Sequence, residues 1–190
     1  MTPTTAARSQ PWFRHPLLLN AGVTVLSVLI CLMLLPSRIP GMELLGVGPH
    51  WLLIWVVAWS VNRAMWQGAV AGLVLGLLQD AMSSPHPTHT LSLIVVGVLT
   101  ARLQKQRYLQ EDIVSVALIV FAMAVIAETV LALQISLDQV LSEQSLYPSL
   151  TKIWLYHQRV ALSSAILSSL WAPALYYPLN RWWDRHAPAP

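Results

Sequence analysis

The chain is 190 residues long, 56% hydrophobic and only 10% charged, with a formal net charge of +3. Soluble domains carry roughly 25% charged residues, so this composition excludes a soluble globular domain and points to an integral membrane protein. The lone cysteine, Cys31, lies in an apolar run, which rules out an intrachain disulfide and a cysteine-built zinc set.

Six apolar segments follow one another. The first, Leu17 to Leu35, is closed by Pro36. It is longer than the apolar core of a signal peptide, and no small-x-small cleavage pattern follows it, so it reads as a retained helix. The second, "PHWLLIWVVAWSV", is short and is expected to draw on "MELLGVG" before Pro49 or to tilt little. The third runs from Trp66 to Met82 and the fourth from about Thr88 to Leu103. The fifth spans Ile113 to Ile135, and the sixth about Leu155 to Leu179. A bilayer core near 30 Å needs ~20 helical residues, and helices are required because lipid-facing backbone must satisfy itself. The expected fold is an all-α, six-helix polytopic bundle at residues 17–180. A cytoplasmic segment, 1–16, precedes it and a cytoplasmic tail, 181–190, follows.

The basic residues orient it. With the N-terminus inside and six crossings, Arg8, Arg14, Arg63, Arg102, Lys105, Arg107, Arg181 and Arg185 fall on the inner side. Arg38, Lys152 and Arg159 fall outside, which accounts for all 11 Lys and Arg. That bias places both termini in the cytoplasm and explains the positive charge as topology, without nucleic acid. Trp12, Trp66, Trp182 and Trp183 at inner boundaries, with Trp51 and Trp154 at outer ones, match interfacial aromatic belts.

Trp51, Trp55 and Trp59 share one face of the second helix and read as a ridge for packing or for a partner. Gly68, Gly72 and Gly76 share one face of the third, a small-xxx-small surface that lets another backbone approach in lipid. Asp80 continues that face by one turn. Asp80, Glu128 and Arg159 come to comparable depth on the outer side. Because isolated charges are costly there, Arg159 is expected to neutralise Glu128 or Asp80, the group lining a polar outer cavity. A second reading has Asp80 organising the loop "AMSSPHPTH" by accepting backbone N–H bonds. His86 and His89 flank Pro87 in that loop without a fourth ligand, so no metal is assigned. His157 reads as an interfacial pair with Tyr156. No serine, nor Cys31, has a histidine or lysine base at helical spacing, so no catalytic residue and no cofactor is assigned.

The ordered series Pro49-x-Trp51, Trp59, Arg63, Gly72-xxx-Gly76-xxx-Asp80, the Ser83-Ser84 turn and "PHPTHTLSLIVVGVLTARLQKQ" resembles the MreD family of rod-shape-determining proteins over residues 49–107. Pro87 departs from the glycine that the family often carries after the serine turn, while His89 and Leu91 stay in register. The resemblance implies a non-enzymatic scaffold of the cell-elongation complex in the bacterial inner membrane. It would bind MreC and act with MreB, RodA and the RodA-associated transpeptidase in lateral peptidoglycan synthesis. It also implies a fold similar to the S components of energy-coupling vitamin transporters. On that basis Trp51, Trp55, Trp59, Gly72, Gly76, Asp80, His89, Glu128 and Arg159 are the expected partner or pocket residues, with membrane lipid around them. The basic loop "ARLQKQRYLQED" would lie at the anionic leaflet. The alternative is an S-component-like vitamin-binding subunit. The docking surface of such subunits is an AxxxA pattern on the first helix, and here only Ala21 is present, with Val25 four residues on.

Overall fold

The computed structural model describes residues 16–37, 41–83, 89–105, 112–141 and 150–186. His86 and Pro87, residues 106–111 of the basic loop, and Arg8, Trp12, Arg14 and Arg38 lie outside the described residues. Six helices run in order: α1 (Pro16–Leu34), α2 (Trp51–Ser60), α3 (Met65–Ser83), α4 (His89–Lys105), α5 (Ile113–Leu141) and α6 (Leu150–His186). Prolines mark several boundaries. Pro16 opens α1, where its missing N–H costs nothing, and Pro36 disfavours helical geometry at Leu35, so α1 stops at Leu34.

The helix expected from Pro49 to Val61 is the least regular of the six. Only ten residues are helical, about 15 Å, half of a ~30 Å bilayer core. The residues before it do not extend it. Leu44 and Val47 exchange backbone bonds of 2.9 and 3.0 Å around a tight turn. Leu45 and Gly46 between them hold φ of 56° and 79°, as a turn with two left-handed central residues requires. What α2 lacks in length it makes up in burial. Every residue from Trp51 to Ser60 except Trp59 is buried, and α2 packs against all five other helices. It is therefore the central post of the bundle, with no lipid-facing side.

Around this post the pattern of a water-soluble protein is inverted. Ser60, Gln79, Asp80, Ser92, Thr100, Glu128, His157 and Asn180 are buried, while large apolar side chains such as Met33, Val74, Leu77, Leu118 and Leu170 are exposed. Two helices, Ile113–Leu141 and the long sixth helix, are long and apolar enough to cross a membrane by themselves. Both exceed the spans expected from sequence: α5 continues six residues past Ile135, and α6 starts five residues before Leu155. Pro173 and Pro178 lie inside α6 and free two backbone carbonyls there.

Chain direction follows from pairs of contacts. Gly72 opposes Leu93 and Gly76 opposes Thr90, so α3 and α4 are antiparallel. His50 N–H donates to Ser168 Oγ at 2.9 Å, and Asn62 Nδ2 donates to Asn180 Oδ1 at 2.9 Å, so α2 and α6 are parallel. The α1–α2, α3–α4 and α5–α6 connections thus gather at one end of the bundle, here the distal end. Arg63, Arg102 and Arg181 mark the other, the basic end.

Candidate functional site

The expected site residues fall into three separate groups. The first is a helix cap supplied by another helix. Asp80, in the last turn of α3, would be opposed by its own helix dipole. Its carboxylate turns instead to the start of α4. Oδ1 accepts the His89 N–H at 2.9 Å and Oδ2 accepts the Thr90 N–H at 3.0 Å and the Thr90 hydroxyl at 2.6 Å. His89 Nδ1 also lies 2.9 Å from Oδ1. Two otherwise orphaned N–H groups at a helix N-terminus are satisfied by a negative charge, where the dipole favours it. The two sequence readings of Asp80 therefore resolve in favour of backbone organisation. Asp80 and His89 do meet, as members of this cap.

The glycine face prepares the approach. A Cβ added at Gly72 would sit 2.6 Å from the Leu93 carbonyl carbon and 2.7 Å from Ile94 N, and one at Gly68 would sit 2.9 Å from the Gly97 carbonyl carbon. Only glycine lets α4 lie this close. The groove offered by Gly72 and Gly76 is filled by the neighbouring helix, which removes it as a surface for a separate partner. Gly97, the matching glycine on α4, was not singled out from the sequence because it stands alone, without a spaced repeat.

The second group is the tryptophan ridge, which packs in large part against α6. Trp51 packs on Trp171 with ring centroids 5.9 Å apart. Trp55 and Trp59 stack at 5.4 Å, and Trp183 of α6 stands edge-on to both, at 6.0 and 5.0 Å. Two of the indole N–H groups find acceptors on α1: Trp55 donates to Ser27 Oγ at 2.8 Å and Trp183 to Thr24 Oγ1 at 3.3 Å. The Arg63 guanidinium covers Trp59 at 4.2 Å, a cation–π contact that closes the basic end of the stack.

The third group corrects an expectation. Arg159 pairs with neither Glu128 nor Asp80 and is exposed. The group facing Glu128 is His157, whose Nδ1 lies 3.2 Å from Oε2. The reason is helical geometry: residues two apart on a helix point about 200° from each other. Once His157 faces α5, Arg159 must face away. Tyr156 does touch His157, edge-on at 5.4 Å. Glu128 and Asp80 thus each have a histidine partner of their own. His50 was also missed. Its Nδ1 accepts the Leu53 N–H at 3.1 Å as the N-cap of α2, and its ring lies 6.5 Å from that of His89. Its place between Pro49 and the first helical residue was the available signal.

An open apolar concavity lies beside the tryptophans. α1 and α3 diverge to leave an apolar groove of about 590 Å³, floored by Trp55 and Trp59 and walled by Val25 and Leu29 on one side and Val70 and Val74 on the other.

Compared with protein-family models, residues 17–179 match the rod shape-determining protein MreD family. The match covers all of α2 to α5, nearly all of α1, and α6 as far as Leu179. A search of curated proteins returned no match.

Proposed function

The chain belongs to the MreD family, which works in rod shape determination, and from that premise we propose a non-enzymatic scaffold of the bacterial cell-elongation complex. Six helices cross the inner membrane, both termini lie in the cytoplasm, and the scaffold binds MreC. Through MreC it acts with MreB, RodA and the RodA-associated transpeptidase in lateral peptidoglycan synthesis. The observation that carries this reading is the family match over residues 17–179, which takes in most of the helical region. The gathering of Arg63, Arg102 and Arg181 at one end supports the orientation. The S-component-like alternative gains nothing from a match to this family.

The partner surface follows from what is already filled. The glycine face is occupied by α4, whereas Trp55 and Trp59 still floor the groove between α1 and α3, so a transmembrane helix of MreC is assigned to that groove. A Val74→Trp substitution fills that groove from an exposed position. It should cut MreC recovered from native membranes at least tenfold while leaving the thermal midpoint unchanged, and cells carrying only this variant should round up. Unchanged capture of MreC removes the groove from the interface. Rod-shaped cells after complete loss of the chain would end the scaffold reading itself.

A further inference from the structure

Glu128 is a buried carboxylate that neither the packing nor the proposed scaffold role uses. Its side chain is 11% exposed and that of His157 is 9% exposed. The only hydrogen bond joining them runs through Oε2, and among the described residues no lysine or arginine forms an ion pair with either carboxylate oxygen. Oε1 takes no hydrogen bond among the described residues, so half of this carboxylate is left without a protein partner inside an apolar bundle. Ionisable groups at membrane depth are costly and are normally met by a cation or by water.

The pair does not face solid protein. It lines a cleft of about 280 Å³ between α5 and α6, where Ala132 and Ala161 leave room, Trp154 and Gln158 stand over the pair, and Leu162 walls the side. Leu162 is exposed and Trp154 is 36% exposed, so the mouth opens sideways past an apolar rim. A ligand entering there must already be in the bilayer. The depth agrees with a headgroup. Gln134 and Asp138 lie six and ten residues further along α5, roughly 9 and 15 Å towards the distal end. Lys152 lies a turn and a half before His157 on α6, and Thr129 beside Glu128 is exposed. These polar groups alternate with exposed apolar ones, among them Leu133 and Leu137 on α5 and Leu155 on α6.

We propose that this cleft is a lipid site that takes the primary ammonium group of a membrane lipid headgroup at the distal face of the bundle. The ammonium N–H donors meet Glu128, the indole of Trp154 offers its π face to the cation, and the acyl chains stay outside along Leu162. The volume, just below the usual range of small-molecule pockets, suits a headgroup and excludes a whole lipid.

The test uses the full chain in bilayer discs of phosphatidylglycerol mixed with either phosphatidylethanolamine or phosphatidylcholine, with retained lipids counted by native mass spectrometry after gentle extraction. The unaltered chain should hold one ethanolamine lipid and no choline lipid, because the quaternary nitrogen has no N–H to donate. Glu128→Gln should lose about nine-tenths of that retention. Trp154→Leu, which keeps the acid–imidazole pair intact, should lose severalfold, so the proposal stays testable even where Glu128→Gln fails to fold. Free ethanolamine at millimolar concentration should not displace the lipid; displacement would move the site to soluble amines and overturn the lipid reading. Equal retention of the two lipids, or equal retention by all three chains, also overturns it. So does a photo-crosslinker at Leu162 that captures a protein in native membranes.

Discussion

The α3–α4 and α5–α6 hairpins each bury one carboxylate, and they use it in opposite ways. Between α3 and α4 the glycines bring backbone against backbone, and Asp80 places both oxygens on the start of the opposing helix. Between α5 and α6 the seam is built from alanines, the helices leave a cleft, and Glu128 reaches a single imidazole. A buried acid whose acceptors are all engaged holds the fold together. One with a spare oxygen beside a cavity is available to something else. Burial alone does not separate the two; hydrogen-bond inventory does.

The sharpest way to break the comparison is to add volume to the closed seam. Gly72→Leu would force α3 off the Leu93 carbonyl. Overpacking against backbone, which cannot move aside, should cost at least about 3 kcal/mol, read as loss of folded protein or a large drop in thermal midpoint. The same change at Gly22, where an added Cβ meets nothing within 4 Å, should leave the midpoint nearly unchanged. Equal losses at the two positions would show that the close approach of α4 is not the cause.

Next in size is Asp80→Ala, which removes the acceptor for two helix-terminal N–H groups and the Thr90 hydroxyl. The expected cost is about 2–4 kcal/mol, with faster hydrogen exchange at the His89 and Thr90 amides. Glu128→Ala removes one hydrogen bond and should cost roughly 1 kcal/mol. If the two acids cost the same, or if exchange at His89 and Thr90 is unaffected by Asp80→Ala, the contrast between a capping acid and a spare one is wrong.

How much of this was legible depends on what each signal measures. Hydropathy and proline placement gave six helices, because the bilayer sets length and proline sets ends. Spacing gave the face shared by Gly72, Gly76 and Asp80, since the helical repeat is fixed. Neither signal carries the identity of the neighbour. The tryptophans at 51, 55 and 59 share a face as expected, yet only the fold could supply Trp171 and Trp183, distant in sequence, as the residues that cover them. The shortness of α2 was hidden for a related reason. "MELLGVG" is apolar enough to continue a helix, but Leu45 and Gly46 take left-handed backbone there, a choice fixed by local turn geometry that hydropathy does not report.

The smallest expected effect tests the most instructive miss. Depth alone grouped Arg159 with Glu128, but depth is one coordinate and the angle around the helix is the other. Arg159 points away from the α5–α6 seam, into an exposed position, so Arg159→Gln should change the thermal midpoint by no more than a surface substitution does, within about 0.5 kcal/mol. It should also leave ethanolamine-lipid retention as it is. A loss comparable to that of Asp80→Ala would mean that the guanidinium does reach the acid. Glu128 would then have its counter-charge within the chain, and the two hairpins would handle their carboxylates alike after all.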